Sequence, residues 1–293
     1  TGALGGMYAN RIHLVSSEKG LGVNLGNLNA RQGDIQLDAS GRLTVSNSLA
    51  SGSITAKGAG VTLAGSHQAG GALNVSSSQD MALNNSTLAS GSEMRLSSEG
   101  KLQSAGGGTS STGPLTISSG QEMVLDNTAL VSKGTAGLES KSTLTMNGGG
   151  IAAQGGALSV AAKQGMALTN STLTSQANAT LATDGNLSQR GGSITSKGDL
   201  KVTAGQDIGL VNSRVGSDAS VALTSQGGLS ASAGTLTAGH RLDLNGGQIV
   251  LDQQSRVDAQ EDMRLAGNQV TSQAQINAGH DLTLTGSTVT HSG

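Results

Sequence analysis

The chain has 293 residues, a net charge of −2, and no cysteine, tryptophan or phenylalanine. Only 12% of its residues are charged, and no Lys/Arg cluster forms the basic stripe that neutralisation of nucleic-acid phosphates requires. We therefore expect no nucleic-acid partner. No run approaches the roughly 18 apolar residues of a membrane helix, so we expect no membrane span. The lack of cysteine also excludes disulfides and thiolate metal sites.

The first thirty residues are less repetitive than the rest of the chain. They contain the stretch Gly5-Gly6-Met7-Tyr8-Ala9-Asn10-Arg11-Ile12, and Tyr8 is the single aromatic residue of the protein. No charged segment followed by an apolar segment precedes this stretch, so no signal peptide is recognised. The chain begins in mid-pattern at Thr1, which predicts a fragment or a processed product.

A long repeat follows. The octapeptide MALNNSTL at 81–88 returns as MALTNSTL at 166–173. Equivalent apolar-x-apolar pairs are spaced by 42, 43, 42 and 41 residues, and they begin at Met81, Met123, Met166, Ile208 and Ile249. Self-similarity at a constant period of this size indicates a solenoid or another array of structural repeats.

The local pattern within each repeat predicts β-strands. Apolar residues alternate with polar ones, so they fall on one face of a strand. Gly, Ser, Thr and Asn recur every few residues and would end a helix before two turns. Short strands separated by Gly or Asn turns are typical of a parallel β-helix, in which the coils stack about 4.8 Å apart. A disordered linker is disfavoured, because a linker has no reason to keep apolar pairs in phase.

We therefore predict an all-β fold, a right-handed parallel β-helix with three short strands in each coil. Each repeat would supply two coils of about 21 residues, and the chain about 14 coils. The right-handed sense follows from the handedness of crossovers between parallel strands.

Asparagine recurs at one position of the repeat. Four asparagines lie four residues after the first apolar residue of each pair: Asn85, Asn127, Asn170 and Asn212. In the next unit Gln253 takes this position. Asparagine tolerates left-handed backbone geometry, and stacked amides can form a hydrogen-bond ladder. The pattern predicts a structural asparagine ladder at a corner of the coils.

Some parallel β-helices are enzymes that degrade polysaccharides, and these need clustered carboxylates or a carboxylate beside Arg or Lys. The best acidic candidates each precede a repeated apolar pair: Asp80, Glu122 and Asp207. Gly165 interrupts this row. A solvated stripe of turn residues is the favoured interpretation, so we expect no catalytic site.

The five histidines do not form a metal motif. His13, His67 and His291 lack partners at metal-ligand spacing. His240 and His280 stand in equivalent phrases about two coils apart, too distant to share one ion. The glycine runs lack a following Lys-Ser/Thr pair, so they do not indicate a phosphate-binding loop. We expect neither a metal nor a cofactor.

Two parts of the sequence resemble a known family. The stretch formed by Gly5, Gly6, Met7, Tyr8, Ala9, Arg11 and Ile12 resembles the end of the secretion domain of two-partner-secreted exoproteins. These are the filamentous haemagglutinins and the contact-dependent growth inhibition effectors of Gram-negative bacteria. The G-x-L-x-V and L-x-N-S-x-L phrases resemble the haemagglutinin repeats of their shafts. The resemblance assigns residues 1–30 to the end of the secretion domain and residues 31–293 to the shaft.

The resemblance also implies a function. Such proteins cross the outer membrane through a partner transporter and extend from the cell surface as secreted fibres. They act as adhesins, or they carry a receptor-binding region and a toxin. The expected role is a structural shaft segment without enzymatic activity, with a host or target-cell receptor or glycan as a further partner. A β-helical polysaccharide lyase or hydrolase remains the alternative.

Overall fold

The computed structural model describes residues 6–293, and its regular elements over this range are all β-strands. None of these described residues forms a helix of the length and apolarity that a membrane span requires. The chain divides into two compact units, Thr1–Ser142 and Thr143–Gly293.

The strands of the first unit are β1 (Met7–Ala9), β2 (Ile12–Ser16), β3 (Val23–Ala30), β4 (Ile35–Ala39), β5 (Arg42–Ala50), β6 (Ile54–Gly58), β7 (Gly60–Ala69), β8 (Leu73–Ser77), β9 (Met81–Ser90), β10 (Met94–Ser98), β11 (Leu102–Ser111), β12 (Leu115–Ser119), β13 (Met123–Asp126), β14 (Ala129–Ser132) and β15 (Ala136–Ser140). Those of the second unit are β16 (Thr143–Asn147), β17 (Gly150–Ala153), β18 (Leu158–Ala162), β19 (Gly165–Ser175), β20 (Ala179–Thr183), β21 (Asn186–Ser196), β22 (Leu200–Ala204), β23 (Ile208–Val211), β24 (Arg214–Ser217), β25 (Val221–Ser225), β26 (Gly228–Ser232), β27 (Thr235–Ala238), β28 (Leu242–Asn245), β29 (Gln248–Leu251), β30 (Arg256–Ala259), β31 (Met263–Ala266), β32 (Gln269–Ser272), β33 (Gln275–Ala278), β34 (Leu282–Thr285) and β35 (Thr288–His291).

In the first unit, each coil adds one strand to a narrow parallel sheet and the remainder to a wider one. The narrow sheet consists of β2, β4, β6, β8, β10, β12 and β15, and the other strands of the unit belong to the wider sheet. Met94 lies opposite Leu73 on one side and opposite Leu115 on the other, so each of these coils advances the chain by 21 residues. The unit therefore has seven coils, each of which contributes one strand to the narrow sheet.

The second unit repeats this arrangement. Its narrow sheet consists of β18, β20, β22, β25, β28, β31 and β34. Leu181 lies opposite Val160 and Val202, again with a spacing of 21 residues. The predicted parallel β-solenoid with about 21 residues per coil is confirmed.

The prediction of three short strands per coil holds with one modification. In some coils the second and third strands are separate, as in β13 and β14. In others they continue through the corner as one bent strand of 10 or 11 residues, as in β9 and β19.

Aliphatic side chains fill the interior of the coils. In β9, Met81, Leu83 and Leu88 are at most 3% exposed, whereas the side chains between them face outward or lie at the corner. Burial of one such side chain stabilises the fold by about 1.5–3 kcal/mol. Alternation with a period of two is therefore what selects strand over helix for this composition.

Buried serines complete the interior at the corners. Ser77, Ser98, Ser119 and Ser140 are stacked in successive coils and are at most 3% exposed. Each Oγ donates to a carbonyl oxygen of a turn, as Ser98 does to Lys101 at 2.8 Å. The hydroxyl adds a second hydrogen bond where the carbonyl already has one, since the Lys101 carbonyl also accepts from the Met81 amide at 2.8 Å.

A second corner, between the second and third strands, requires left-handed backbone. Asn85 and Asn127 in the first unit have φ of 46° and 47°, and Asn170 and Asn212 in the second have φ of 50° and 49°. Asparagine is among the few residues other than glycine that adopt this geometry readily. All four amides are exposed at the surface of their coils.

Glycine occupies the same corner in the next coil. In the first unit Gly106, with φ of 72°, lies against Asn85, and a Cβ added to this glycine would be 2.3 Å from the Asn85 Oδ1. A Cβ on Gly107 would lie 2.1 Å from the carbonyl oxygen of Ser86. A side chain at either position would overlap the coil beneath it.

The second unit repeats this contact with different residues. A Cβ on Gly191 would lie 2.3 Å from the Asn170 Oδ1, and one on Gly192 would lie 2.1 Å from the carbonyl oxygen of Ser171. Corners that carry Asn therefore alternate with corners that carry Gly-Gly up to Asn212, after which Ala233 takes the corner with φ of 50°. This alternation explains why the sequence repeats over two coils although the backbone repeats over one.

The alternation corrects the predicted asparagine ladder. Within each unit the asparagines at this corner are separated by a glycine coil, so they lie about 10 Å apart and do not bond to one another directly. A direct amide pair instead joins Asn27 and Asn47 in the first unit, where Asn47 Nδ2 donates to Asn27 Oδ1 at 2.9 Å.

We expect Gly192→Ala to destabilise the second unit strongly. The left-handed backbone alone costs an alanine about 1–3 kcal/mol, and the overlap with the Ser171 carbonyl adds to this cost. Gly209→Ala is the matched control, because an added Cβ there would have its nearest neighbour at 3.9 Å. The thermal unfolding midpoint, followed by circular dichroism, should fall for Gly192→Ala alone. Equal midpoints would contradict the close approach of the two corners.

Candidate functional site

The N-terminal stretch forms the first coil of the first unit. Gly5 lies outside the described residues, and Met7, Tyr8 and Ala9 form β1, which pairs in parallel with residues 28–30 of β3. The Arg31 amide donates to the Ala9 carbonyl at 2.9 Å. The stretch is therefore continuous with the stack of coils that follows it.

Arg11 and Ile12 have structural contacts in this coil. Ile12 begins β2 and is 7% exposed, so it belongs to the core. The Arg11 side chain crosses Gly33, where an added Cβ would lie 2.5 Å from the Arg11 Cγ. Glycine at position 33 thus leaves the space that the arginine stem occupies.

Tyr8, the single tyrosine of a chain without phenylalanine or tryptophan, presents its ring to solvent. It is 63% exposed and lies beside Gly6, where an added Cβ would be 3.0 Å from the ring. A shallow depression of about 240 Å³ extends from Tyr8 over three coils, with Asn29, Leu49 and Gln68 along its length. Its lining contains no charged side chain. An aromatic ring beside amide groups can bind a neutral polar ligand through stacking and hydrogen bonds.

Two of the acidic candidates hold adjacent coils together. Asp80 Oδ1 accepts a hydrogen bond of 2.8 Å from the Lys101 amide, and Asp207 Oδ1 accepts one of 2.7 Å from the Gly228 amide. In both cases the residue before the donor is glycine, and a Cβ there would lie 2.2–2.3 Å from the carboxylate oxygen. We call this contact the Asx clasp: an Asp or Asn side chain bonded to a backbone amide of the next coil.

Glu122, the third acidic candidate, is paired differently. Its Oε1 lies 2.7 Å from the Lys101 Nζ in an exposed ion pair. The hydrogen bond to Glu122 and the charge of its carboxylate raise the pKa of Lys101. A lysine that acts as a general base needs a lowered pKa, so this environment works against such a role.

These three acids therefore lie at corners and bond to their own scaffold. Asp80 and Lys101 line a depression of about 260 Å³ together with Arg42, Gln79 and Gln103. Asp80 and Glu122 are two coils apart, with Lys101 between them. Asp80 accepts from the Lys101 backbone amide and Glu122 pairs with the Lys101 ammonium group, so both acids have a structural use in this corner.

The histidines fall into two environments. His240 and His280 lie in one column with Glu261 between them, and the His240 Nδ1 is 2.8 Å from the Glu261 Oε1. Across the described range no three His, Cys, Asp or Glu side chains are arranged to hold a metal ion. His67 is different, because it is 2% exposed and lies inside the first unit.

Sequence reasoning missed several members of the Asx clasp. Asp34 accepts from the Ser53 amide at 2.7 Å, and Asn178 accepts from the Asp199 amide at 2.9 Å. The sequence does contain a sign of this contact: Asp34 stands about 20 residues before Gly52, and Asn178 about 20 residues before Gly198. It is found only once the coil length is known.

Comparison with known proteins identifies the family. The haemagglutinin repeat matches the chain in five overlapping stretches, residues 1–47, 38–106, 82–188, 155–233 and 224–286. The chain belongs to the haemagglutinin repeat family, whose repeats form these coils. No solved structure matches it significantly.

The relatives include contact-dependent inhibition proteins. A segment of 88 residues, 30% of the chain, is 73% identical to the tRNA nuclease CdiA of Escherichia coli strain NC101. A segment of 107 residues, 36% of the chain, is 55% identical to the 16S rRNA endonuclease CdiA of Enterobacter cloacae subsp. cloacae. A segment of 104 residues, also 36%, is 56% identical to the tRNA nuclease CdiA of Yersinia mollaretii. These matches span only 3–4% of the length of the relatives.

We expect Asp80→Ala to expose the Lys101 amide to solvent exchange, because the clasp hydrogen bond is lost. Loss of one such bond should speed exchange of this amide by about tenfold. Asp80→Asn is the matched control, since Asn178 makes the same contact with its Oδ1, and its effect should stay within about threefold. Hydrogen exchange followed by NMR measures both variants. Equally fast exchange in both would contradict the clasp.

Proposed function

We propose that this chain is a structural shaft segment of a large secreted exoprotein of the Gram-negative cell surface. Residues 1–30 would be the end of its secretion domain, and residues 31–293 its haemagglutinin-repeat shaft. The observation that carries the proposal is the solenoid itself: haemagglutinin repeats over nearly the whole chain, folded as coils in register. The secreted, surface-exposed location is that of the family.

A solenoid of this kind suits a shaft for a physical reason. Each coil is stabilised by the coils directly before and after it, so length is extended by adding coils without redesigning a core. The outward side chains are largely Ser, Thr, Asn and Gly, and only 12% of the residues are charged. Such a surface stays in water without offering a dominant binding patch.

Secretion supplies the first partner. Two-partner secretion uses a transporter in the outer membrane, and we propose that the full-length protein crosses the membrane through such a partner. The chain contains no cysteine, so oxidation in the periplasm cannot lock it into a folded form before export. Coil-by-coil folding outside the cell would then proceed from one end of the stack.

The relatives favour the contact-dependent inhibition branch of the family over a simple adhesin. Their names describe nucleases and a toxin, and those activities belong to proteins of which this segment matches a small part. We propose that the present segment has no catalytic activity and holds a receptor-binding or toxin region away from the cell. The depression beside Tyr8 is the most suitable place on the described surface for contact with a receptor or glycan.

The shaft role predicts that a whole double coil can be removed. Deletion of residues 166–207 from the full-length exoprotein keeps the alternation of Asn and Gly-Gly corners, because Ile208 takes the phase of Met166. We expect secretion, surface display and target-cell inhibition to remain within about twofold of the parent. Inhibition is measured by competition with target cells, and display by surface labelling.

Deletion of the single coil 187–207 is the control. It places the Asn212 corner directly on the Asn170 corner and removes the glycines that make room for an asparagine coil. Surface display should fall sharply for this variant although it removes half as many residues. Loss of inhibition with normal display after the 42-residue deletion would contradict the shaft role, because it would place an essential site in the deleted segment.

The polysaccharide lyase alternative has a direct test. The purified chain is incubated with pectins and related glycans, and unsaturated or reducing ends are measured. We expect no product above the blank, because Asp80 and Glu122 bond to their own scaffold. Activity that disappears in Asp80→Asn or Glu122→Gln would refute the structural role.

A further inference from the structure

The coils of the first unit do not all have the same corner. The corner between the second and third strands comprises residues 46–47 in β5, 64–66 in β7 and 84–87 in β9. The register between neighbouring strands shifts at this point, first between β5 and β7 and again between β7 and β9. The corner thus has two residues in β5, three in β7 and four in β9. We call the first the narrow corner and the last the wide corner, and the β7 coil is the step between them.

His67 lies at this step and takes an inward position. It faces Ser48 in the coil before and Leu88 in the coil after. Its side chain is almost fully enclosed. Leu28 and Leu130 take the equivalent position in other coils of the unit. The imidazole thus occupies, in the step coil, a position that an aliphatic side chain fills elsewhere.

Both ring nitrogens of His67 have partners. Nδ1 lies 2.8 Å from the Ser48 Oγ, and Nε2 lies 2.8 Å from the carbonyl oxygen of Ala64. A carbonyl only accepts, so Nε2 carries the hydrogen and donates it, and Nδ1 accepts from the serine hydroxyl. The neutral ring satisfies the inward carbonyl of the intermediate corner and joins two coils.

The surroundings of the ring are apolar on every neighbouring element. The side chains that enclose it, with Ser48, belong to β4, β5, β6, β7 and β8, and they are Leu37, Val45, Ile54, Ala56, Leu63, Leu73 and Val75. Every one of these is aliphatic, so the groups that face the imidazole include no carboxylate that could neutralise a positive charge. Burial accordingly lowers the pKa of His67, and the bond to Ala64 opposes this only in part.

We propose that the β7 coil is an acid-sensitive joint in the solenoid, in which protonation of His67 releases the step between the narrow and wide corners. A proton on Nδ1 reverses the bond to Ser48, so that Nδ1 donates to Oγ and the hydroxyl hydrogen loses its acceptor. It also places a charge among aliphatic side chains. The coil relieves this by opening, which exposes His67 to water. Opening also parts the narrow-corner coils from the wide-corner coils of the same unit.

The direction of the pH dependence follows from the lowered pKa. Above the ordinary histidine value of about 6.5, the ring is neutral in both the closed and the open coil, so closure is unaffected by pH. As the pH falls below about 6.5, the open coil takes up the proton first, and closure becomes less favourable. With one proton involved, the closing equilibrium changes by at most about tenfold per pH unit.

The experiment measures hydrogen exchange of the intact chain at several pH values, corrected for the intrinsic pH dependence of exchange. Protection of amides in residues 42–77 should fall by up to about tenfold per pH unit below about 6.5, while the second unit stays constant. His67→Leu, which installs the residue found at position 88, should remove this dependence. His13→Gln, a change at an exposed histidine, should retain it.

A second measurement does not depend on any variant folding. The imidazole resonances of the wild-type chain are followed by NMR as the pH is lowered, and His67 should still be neutral below the ordinary histidine pKa of about 6.5. A His67 that titrates at or above the ordinary histidine value of about 6.5 would overturn the proposal. So would a pH dependence that persists in folded His67→Leu, or one that is equal in both units.

Discussion

Stacking in register is the constraint on which the rest of this structure depends. Parallel coils lie about 4.8 Å apart, so each side chain meets the equivalent residue of the next coil at that distance. Inside the coils this favours aliphatic side chains in continuous columns. At the left-handed corner of Asn170 it leaves no room for a side chain on the following coil, where Gly191 lies against the asparagine. The double period of the sequence is a consequence of this crowding.

The same constraint explains why the polar residues of the chain are largely structural. Buried serines donate to turn carbonyls, and Asp80 and Asp207 accept from amides of the following coil. A carboxylate in such a position stabilises its own scaffold and is not aimed at a substrate. A stack built in this way can be lengthened by pairs of coils, which is the property that a shaft of the haemagglutinin repeat family requires.

Two coils depart from the repeat, and each has a feature that the other coils lack. The N-terminal coil carries the single tyrosine, and the β7 coil joins two kinds of corner through a buried histidine. Periodicity does not single out His67, because it treats every departure from the consensus alike. Only the register shifts between β5, β7 and β9 reveal that the corner changes size at this point.

The strand pattern, the coil length and the inward residues could be predicted from the amino-acid order, because alternation and period are local properties that a single chain displays. The amino-acid order also placed Asn85 and its equivalents at a corner with left-handed backbone. Tertiary structure alone decided which residues touch across coils: glycine against asparagine, Asp80 against the Lys101 amide, and Ser48 against His67. Those contacts join residues 19 to 21 positions apart, and their partners are defined only when the coils are stacked in one register.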